Sequence, residues 1–338
     1  MEHRDQVYNT TRICRRVRPV NLNPADDRLF CKEYEREIGP CRIETLTQGT
    51  IFDSRLFRQE SNNLRLRELI RSSPGRLRAA QKVGRHTLAS LFPAVKIDSG
   101  SWVVDDWSHG YFHWITEALC KLELLRSLSI NEPVLLPGEY RRYPFIEESL
   151  DLLGLTCHYL SELRISKIDQ LTTVSLDFPT GNYNCQLLRH LAERFTSRLP
   201  GPAQHPERRV WISRAQASRR TIRNEDELRP VLEKHRFEVV ALERYSLREQ
   251  IDLLQRSAII AGLHGAGLTN MLFLPKQAKV VEIRRRDDDH SNCYYAMASA
   301  LSLDYYYLLA EPLDADLHGG DCRLDADQLD RLLLTLDS

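Results

Sequence analysis

The segment whose residue types most clearly suggest a chemical role is a turn rich in small residues. It follows the apolar run Ala258-Ile259-Ile260, leads into a helix-like stretch, and reads Gly262-Leu263-His264-Gly265-Ala266-Gly267-Leu268-Thr269-Asn270. Backbone N–H groups left free at such a turn attract phosphate groups. The dinucleotide fingerprint is incomplete, because a third glycine is missing at position 270, and this argues against an NAD enzyme. We therefore predict a phosphate-binding turn; the alternative is a glycine turn required by close helix–sheet packing.

Charged residues near the ends of two other strand-like runs would complement this turn. Arg214 follows Val210-Trp211-Ile212-Ser213, and Arg219 and Arg220 come shortly after it. Guanidinium groups bind a diphosphate in a bidentate manner, although for any one arginine a solvated surface position is the alternative. Glu282 interrupts the apolar run Val280–Ile283, where a carboxylate needs a partner, and a ribose diol is one candidate.

A histidine–glutamate pair in the first half of the chain could supply a base. His113 and Glu117 are four residues apart in a helix-like stretch, so they share one helical face. At this spacing the carboxylate could orient the imidazole, which would then act as a general base. The alternative is a hydrogen-bonded structural histidine inside an amphipathic helix.

A run of three aspartates raises the question of a metal. Asp287, Asp288 and Asp289 resemble the Asp-x-Asp pattern that holds Mg²⁺ or Mn²⁺, because these cations prefer oxygen ligands. They directly follow Arg284-Arg285-Arg286, so we favour a charge-compensated surface loop and expect no metal. The sequence also lacks the hydrolase nucleophile elbow, the Walker loop and zinc-type spacings, which argues against those enzyme classes.

The elements that would position these residues alternate between strand and helix. In the first half, Trp102–Asp105, Tyr111–Leu128 and Pro133–Leu136 form a β-α-β pattern. Residues 209–283 continue the alternation, and Ser246 with Glu249 and Asn224 with Glu227 resemble capping boxes. This pattern predicts an α/β protein with parallel sheets and helices on both faces.

A proline-rich segment divides the chain into two predicted domains. Residues 200–206 include three prolines and a glycine, which suit neither a helix nor a central strand. We predict an N-terminal α/β domain over 1–199, with 1–95 irregular, and a C-terminal α/β domain over 207–338. The hinge would place a ligand cleft between two such halves.

Composition indicates a folded protein with reduced cysteines. The 338 residues include 47 basic and 47 acidic side chains and are 42% hydrophobic, which excludes peptide-like scaffolds and most disordered classes. No apolar run approaches the roughly 18 residues of a membrane span, so we expect a soluble protein without a Sec signal. The eight cysteines lack a CxxC pair, and a formal charge of zero gives little reason to expect a nucleic-acid partner.

Taken together, these motifs resemble glycosyltransferase family 61. The resemblance rests on Val210–Arg214, on Gly262–Phe273 with Val280–Glu282, and on Tyr111-Phe112-His113-Trp114 with Glu117. It implies a GT-B architecture, in which two Rossmann-like domains face each other across a cleft, and an inverting transfer from a nucleotide sugar without an obligatory metal or other cofactor. Because we expect no signal or anchor segment, we assign the chain to the bacterial branch, which assembles capsule, lipopolysaccharide and other surface polysaccharides.

The resemblance also assigns roles to residues. Arg214, Arg219 and His264, with the turn Gly265-Ala266-Gly267-Leu268-Thr269-Asn270, would bind the donor diphosphate, Glu282 the ribose, and His113 with Glu117 the acceptor hydroxyl. The expected partners are a donor, with UDP as its nucleotide, and a glycan or lipid-linked glycan acceptor. The expected location is the cytoplasm, with peripheral association at the inner membrane face as an alternative. Two alternatives are a non-catalytic nucleotide-sugar-binding subunit and a metal-dependent transferase using Asp287–Asp289.

Overall fold

The protein is represented by a computed structural model that describes residues 4–57, 76–198, 206–316 and 319–336. Contacts divide the chain into two compact units. Unit 1 comprises Met1–Thr10 and Gly39–Asp177, and unit 2 comprises Thr11–Ile38 and Phe178–Ser338. Within the described residues, none of the helices has both the length and the apolar character needed to cross a membrane.

Strands occur in both units and in the segment predicted to be irregular. The described part of residues 1–95 contains five complete strands, most of which pair with each other inside this segment, while Cys41–Phe52 also pairs with the distant strand Ser166–Leu176. In chain order the described strands are β1 (Arg4–Tyr8), β2 (Arg12–Arg15), β3 (Glu35–Ile38), β4 (Cys41–Phe52), β5 (Arg55–Phe57), β6 (Val95–Trp102), β7 (Val134–Pro137), β8 (Cys157–Leu160), β9 (Ser166–Leu176), β10 (Arg208–Ile212), β11 (Phe237–Val240), β12 (Ser257–Leu263), β13 (Lys279–Arg285), β14 (Asp304–Pro312) and β15 (Cys322–Arg323).

Helices occupy most of the positions that the apolar periodicity predicts. The described α-helices are Arg76–Ala89, Tyr111–His113, Leu119–Ser127, Pro144–Leu153, Cys185–Thr196, Glu225–Lys234, Leu247–Gln255, Cys293–Leu301 and Ala326–Leu336. A π-helical turn, Trp114–Ala118, joins the second and third of these. The 3-10 helices are Pro24–Leu29, Cys31–Glu33, Gly138–Arg142, Leu242–Arg244 and Ala266–Phe273.

Unit 1 contains a seven-stranded mixed sheet. Its order is β1-β4-β9-β6-β7-β8, with β5 also paired to β4. The strands β9, β6, β7 and β8 are parallel, whereas β1, β4 and β9 pair in an antiparallel manner. The predicted strand Trp102–Asp105 is wrong in its position, because β6 ends at Trp102 and the next residues form the turn that precedes the helix at Tyr111.

Unit 2 contains a six-stranded sheet in the order β11-β10-β12-β13-β14-β15. All its pairs are parallel except β14 with β15, as the strand–helix alternation predicts. One face is covered by the helices Glu225–Lys234 and Ala326–Leu336, whose leucines join Trp211 and Ile283 in a buried core. The carboxyl ends of β10 and β12, neighbours in this sheet, therefore position the loops that follow them.

The two units differ from the predicted domains. The helix Cys185–Thr196 belongs to unit 2, where Phe195 packs against Phe273 with ring centroids 5.4 Å apart. The segment Thr11–Ile38 also belongs to unit 2, because the Val20 N–H donates to the Tyr305 carbonyl in β14 at 2.9 Å. One boundary between the units falls between residues 177 and 178, and residues 200–205 of the predicted linker lie outside the described part of the chain.

Of the two predicted capping boxes, one is confirmed. The Ser246 hydroxyl accepts from the Glu249 N–H at 3.3 Å, and the Glu249 carboxylate accepts from the Ser246 N–H at 2.8 Å. The box at Asn224 is wrong, because the Asn224 amide instead bonds the backbone of Leu324, 100 residues away.

All eight cysteines are free thiols, and three of them, Cys41, Cys120 and Cys322, are buried.

Candidate functional site

The glycine turn lies at the carboxyl end of β12, in the interior of the unit 2 sheet. It leads into the 3-10 helix Ala266–Phe273, in which the side chains from Leu268 onward are buried. Thr269 and Asn270 are 0% and 1% exposed, and the Asn270 amide donates to the Gly267 carbonyl at 3.1 Å. A ligand at this turn would therefore meet His264 and the backbone rather than the side chains of Leu268, Thr269 and Asn270.

Two glycines of the turn are required by close packing. A Cβ atom at Gly267 would lie 2.9 Å from Cγ2 of Ile212, which is the helix–sheet approach that the alternative interpretation expects. A Cβ atom at Gly265 would lie 2.6 Å from Nη1 of Arg214. Gly265 has a φ of 166°, an extended conformation open to any residue, so its small size is what matters. Gly265 thus gives room for a guanidinium group beside the turn.

His264 is held by a buried carboxylate. Its Nδ1 lies 2.5 Å from Oε1 of Glu282, on the neighbouring strand β13. Glu282 is 0% exposed, and its second oxygen, Oε2, accepts from the Tyr305 hydroxyl at 2.5 Å. Because an ionised carboxylate only accepts hydrogen bonds, Nδ1 of His264 carries a proton. The other ring nitrogen, Nε2, is the one left for a ligand.

Tyr305 and Arg284 lie near the buried carboxylate of Glu282. Burial, and then the charge of Glu282, raise the pKa of Tyr305 well above its usual value, so its hydroxyl remains a donor. Arg284 is 1% exposed, donates to the Asn292 side chain at 2.6 Å, and stacks over the Phe30 ring at 5.0 Å. A buried cation near Glu282 offsets part of the cost of burying a negative charge.

A small pocket with a cavity volume of about 30 Å³ opens next to His264. Arg220 gives it positive character, whereas the second lining arginine, Arg285, is paired with Asp287 and Asp314, and Asp288 adds a carboxylate to the lining. The pocket is lined by Arg220, Leu263, His264, Arg285, Asp288, Ser291 and Gly320. All of these residues belong to unit 2. Its mixture of cationic groups and a small hydroxyl suits an anionic ligand with polar substituents.

Two arginines beside this pocket have no acidic partner among the described residues. The Arg214 guanidinium donates to the backbone carbonyls of Arg219 and Arg220, at 3.1 and 2.8 Å. Burial, followed by the charge of Arg220, lowers the pKa of Arg214. Nε of Arg220 is buried without a hydrogen-bond partner. Two neighbouring cations that share no carboxylate create a site at which an anion would be stabilised.

The positions of Arg219 and Glu282 differ from those that their predicted roles would require. The Arg219 side chain is exposed, and Arg220 lines the pocket in its stead. Glu282 has no exposed surface, and both of its oxygens are already engaged. A hydrogen bond from Glu282 to a ribose would require it to release His264 or Tyr305, so the geometry favours Glu282 as the residue that orients His264.

The three aspartates form no metal site in the described chain. Both oxygens of Asp287 accept from Arg285, at 3.0 and 2.8 Å, and Asp288 accepts from the backbone N–H groups of His290 and Ser291. Burial would raise the pKa of Asp288, but these backbone hydrogen bonds lower it. Across the residues that can be described, no group of three His, Cys, Asp or Glu side chains is arranged to hold a metal ion.

In unit 1, His113 and Glu117 form the pair that their spacing predicts. Nδ1 of His113 lies 3.2 Å from Oε2 of Glu117, and the two side chains are 24% and 14% exposed. The helix changes to a π-helical turn at Trp114–Ala118, so Glu117 lies within it. Such turns occur frequently at functional sites. Oε1 of Glu117 is buried without a hydrogen-bond partner, which leaves an acceptor unused beside the imidazole.

A turn before this helix adds residues that the sequence did not single out. Asp105 Oδ1 accepts from the N–H groups of Trp107 and Ser108 and from the Ser108 hydroxyl, at 2.9, 3.1 and 2.9 Å. Burial would raise the pKa of Asp105, but these hydrogen bonds lower it. The carboxylate is therefore ionised at neutral pH. The indole of Trp107 lies 6.0 Å from the His113 ring.

Sequence reasoning missed Tyr305, Arg285 and Ser291 in unit 2. Tyr305 follows Glu282 by 23 positions in a tyrosine-rich strand, which gives no sign of a partnership with it. Arg285 was present only as part of a charged run. These residues gain their place from the pairing of β13 with β14 and from the loop that follows β13.

Comparison with known proteins identifies the family. A family model described as Glycosyltransferase 61 matches residues 111–281, slightly more than half of the 338 residues. The chain belongs to the glycosyltransferase 61 family. The matched region of this glycosyltransferase 61 member includes both the His113–Glu117 pair and the turn that follows β12.

Three similar proteins, all from animals, are named as transferases, and the chain matches each of them in part. It is 35% identical over 132 residues to the EGF domain-specific O-linked N-acetylglucosamine transferase of Drosophila melanogaster, covering 37% of this chain and 25% of that protein. The Mus musculus protein of the same name is 33% identical over 135 residues, with coverages of 37% and 25%. Protein O-linked-mannose beta-1,4-N-acetylglucosaminyltransferase 2 of Xenopus laevis is 28% identical over 203 residues, 57% of this chain and 32% of that protein.

These matches span only a quarter to a third of the relatives' lengths. They agree with the family that the motifs predict, but they give no support to its bacterial branch, because the organisms named are animals. The mixed α/β sheets are consistent with a glycosyltransferase fold, and the GT-B arrangement stays a prediction.

Proposed function

We propose that this protein transfers a sugar from a nucleotide-sugar donor to a hydroxyl group of a glycan acceptor. The observation that carries the proposal is the cationic pocket at the end of β12. There a histidine fixed by a buried carboxylate lies near Arg214 and Arg220, for which the described part of the chain offers no acidic partner. Membership of the glycosyltransferase 61 family gives this anion site its chemical context.

We propose that unit 2 binds the donor diphosphate. The backbone of the turn Gly265–Asn270, together with His264, Arg214 and Arg220, would surround the phosphates. UDP is the nucleotide that the family resemblance implies. N-acetylglucosamine is the first sugar to test, because the names of the relatives describe its transfer.

We propose that His113 is the general base. With Nδ1 on Glu117, its Nε2 would take the proton from the acceptor hydroxyl as that oxygen attacks the anomeric carbon. The new bond to the acceptor oxygen forms as the bond to the diphosphate oxygen breaks, which inverts the configuration. The diphosphate leaves with the bonding electrons, and the cations of unit 2 stabilise its growing charge.

The proposal is tested first by binding. Unfolding temperature is measured with UDP, GDP, CDP, ADP and dTDP, since a ligand at roughly 100 times its Kd stabilises the folded form by about 2.7 kcal/mol. We expect UDP to raise the unfolding temperature most, and transfer from UDP-N-acetylglucosamine to follow. A protein stabilised by none of these nucleotides would contradict the proposal.

Gly265→Ala is expected to weaken nucleoside diphosphate binding by roughly tenfold or more, because the added methyl displaces the Arg214 guanidinium and one charge-assisted hydrogen bond is lost. The fold should be retained, because the backbone at this position is extended. Titration calorimetry with UDP measures the change. Gly84→Ala is the matched control, since no atom lies within 4 Å of its added Cβ. If the two variants bind UDP with equal affinity, Arg214 does not contribute to donor binding.

We further propose that transfer needs no metal ion. EDTA is expected to leave the rate unchanged, because the cations available to the leaving group are side chains. The measurement is initial rate before and after chelation, followed by addition of Mn²⁺. A loss of rate that Mn²⁺ reverses would instead support the metal-dependent alternative that uses Asp287–Asp289.

The remaining predictions concern the setting of the reaction. A non-catalytic nucleotide-sugar-binding subunit is the second candidate, and the His113–Glu117 pair favours catalysis over it, because a binding subunit has no need of a base. The polysaccharide acceptor and the cytoplasmic location stay predictions.

A further inference from the structure

Unit 1 exposes a single tryptophan beside the proposed base. Trp107 is 67% exposed, whereas Trp102, Trp114 and Trp211, which complete the set of four in the sequence, are at most 6% exposed. Trp107 lies in the turn between β6 and the helix that begins at Tyr111. A lone exposed apolar side chain is common on protein surfaces, so the argument depends on how this one is held and on what surrounds it.

The turn fixes the backbone of Trp107. Its N–H donates to Asp105 Oδ1 at 2.9 Å, and its carbonyl accepts from the Gly110 N–H at 2.9 Å. The Ser108 side chain, which is 0% exposed, accepts from the Asp105 N–H at 3.0 Å and so closes the turn. The indole is therefore presented to solvent from a backbone with little freedom, which lowers the entropy lost when a ligand binds.

The surroundings combine aromatic faces with polar groups. The Trp107 and His113 ring centroids are 6.0 Å apart with planes inclined by 33°, and the Phe112 ring lies edge-on to His113 with centroids 5.2 Å apart. The carboxylate of Glu117 is bonded to the same imidazole. An aromatic face with hydrogen-bonding groups at its rim resembles the lining of small-molecule sites more than a solvated loop.

We infer that the face of Trp107 binds a pyranose ring of the acceptor. A pyranose with equatorial hydroxyls has a face of C–H groups and a rim of hydroxyl groups. The C–H groups carry partial positive charge and suit the negative face of an indole, while the rim reaches the polar groups around His113. This inference rests on the proposed function, because it assigns the acceptor subsite of that reaction.

A protein partner fits these observations less well. A stable protein interface covers roughly 800 Å² on each partner, whereas a single indole of this kind offers a surface about the size of one sugar ring. The residues around it are half-buried and partly polar, as the exposures of Tyr111, Phe112 and His113 indicate.

The first test is optical and needs no donor. Because Trp107 alone among the tryptophans is exposed, acrylamide quenching of the intrinsic fluorescence reports on it. Methyl β-D-glucopyranoside, methyl β-D-xylopyranoside and methyl N-acetyl-β-D-glucosaminide are the probes, with the open-chain polyol sorbitol as control. We expect at least one glycoside, but not sorbitol, to reduce quenching. If no glycoside protects more than sorbitol does, the inference is wrong.

The second test separates this subsite from the reaction itself. In Trp107→Leu we expect the KM for the acceptor to rise roughly tenfold, because aromatic stacking is lost while apolar bulk remains. The KM for the donor, and hydrolysis of the donor without acceptor, should not change. Trp107→Tyr should restore much of the loss, which a merely structural role would not predict. An active enzyme whose acceptor KM is unaffected by Trp107→Leu overturns the inference and leaves the proposed function intact.

The two tests also fail in different ways. If glycosides protect Trp107 but no nucleotide sugar is turned over, the glycan-binding site stands and the proposed transfer does not.

Discussion

His113→Ala is expected to lower the turnover number by about 10²- to 10⁴-fold, the range that general base catalysis contributes. The imidazole is the one group that the described geometry equips for this task, with Nδ1 on Glu117 and a side chain that is partly exposed. Binding of UDP should be unaffected, because the donor pocket belongs entirely to unit 2. Steady-state kinetics and calorimetry on the same preparation measure the two quantities.

His158→Ala is the matched control, since His158 is an exposed histidine of the same unit on β8. It should retain full turnover. Glu117→Gln tests the partner: the amide can still accept a hydrogen bond from Nδ1 but carries no charge to stabilise the imidazolium, so an intermediate loss is expected. A His113→Ala variant with the turnover of the His158→Ala control would remove His113 from the mechanism.

Glu282→Gln should lower the turnover number by roughly 10²-fold or more, because the imidazole then loses the negative charge of the carboxylate that orients it. In the native protein, Nδ1 of His264 donates to Glu282, and Nε2 would face the leaving diphosphate, to which it can donate only as part of an imidazolium that the charge of Glu282 stabilises. The amide of glutamine can still accept from Nδ1 through its oxygen, but it carries no charge, and its nitrogen accepts from neither His264 nor Tyr305. The loss should fall on kcat more than on the KM for the donor.

Nitrogen NMR of labelled histidine gives a readout that simple destabilisation would not reproduce, because it distinguishes the imidazolium of His264 from its neutral tautomers. Tyr305→Phe should cause a smaller loss, since Glu282 keeps its bond to His264. Glu238→Gln is the matched control, because Glu238 forms an exposed ion pair with Arg208 in the same sheet. If Glu282→Gln leaves both kcat and the protonation of His264 unchanged, Glu282 does not act through His264.

Local features of this protein could be predicted because nearby residues determine them. The capping box at Ser246 depends on a partner three residues away, and the His113–Glu117 pair on one turn of helix. The parallel strands of unit 2 could be predicted for the same reason, since apolar runs and short helices alternate along the chain. The family itself also followed from short motifs.

Other features depended on residues that are distant in sequence. The amide of Asn224 could have capped its own helix, but the approach of Leu324 gave it two backbone partners instead. The segment Thr11–Ile38 looked irregular, although β2 and β3 pair with each other inside it, and its hydrogen bonds to β14, almost 300 residues away, join it to unit 2. No local pattern contains such pairings, so the predicted domain limits and the observed units differ.

The sequence by itself determined which residues were available for chemistry: the two histidines, the arginines after β10 and the glycines after β12. Only the tertiary structure decided which of them meet. The register of β12 against β13 brings Glu282 to His264, and β14 brings Tyr305 to the same carboxylate. The reason is physical: hydrogen bonds across a sheet depend on strand order and register, which many distant contacts fix together, whereas helix caps and turns depend on a few adjacent residues.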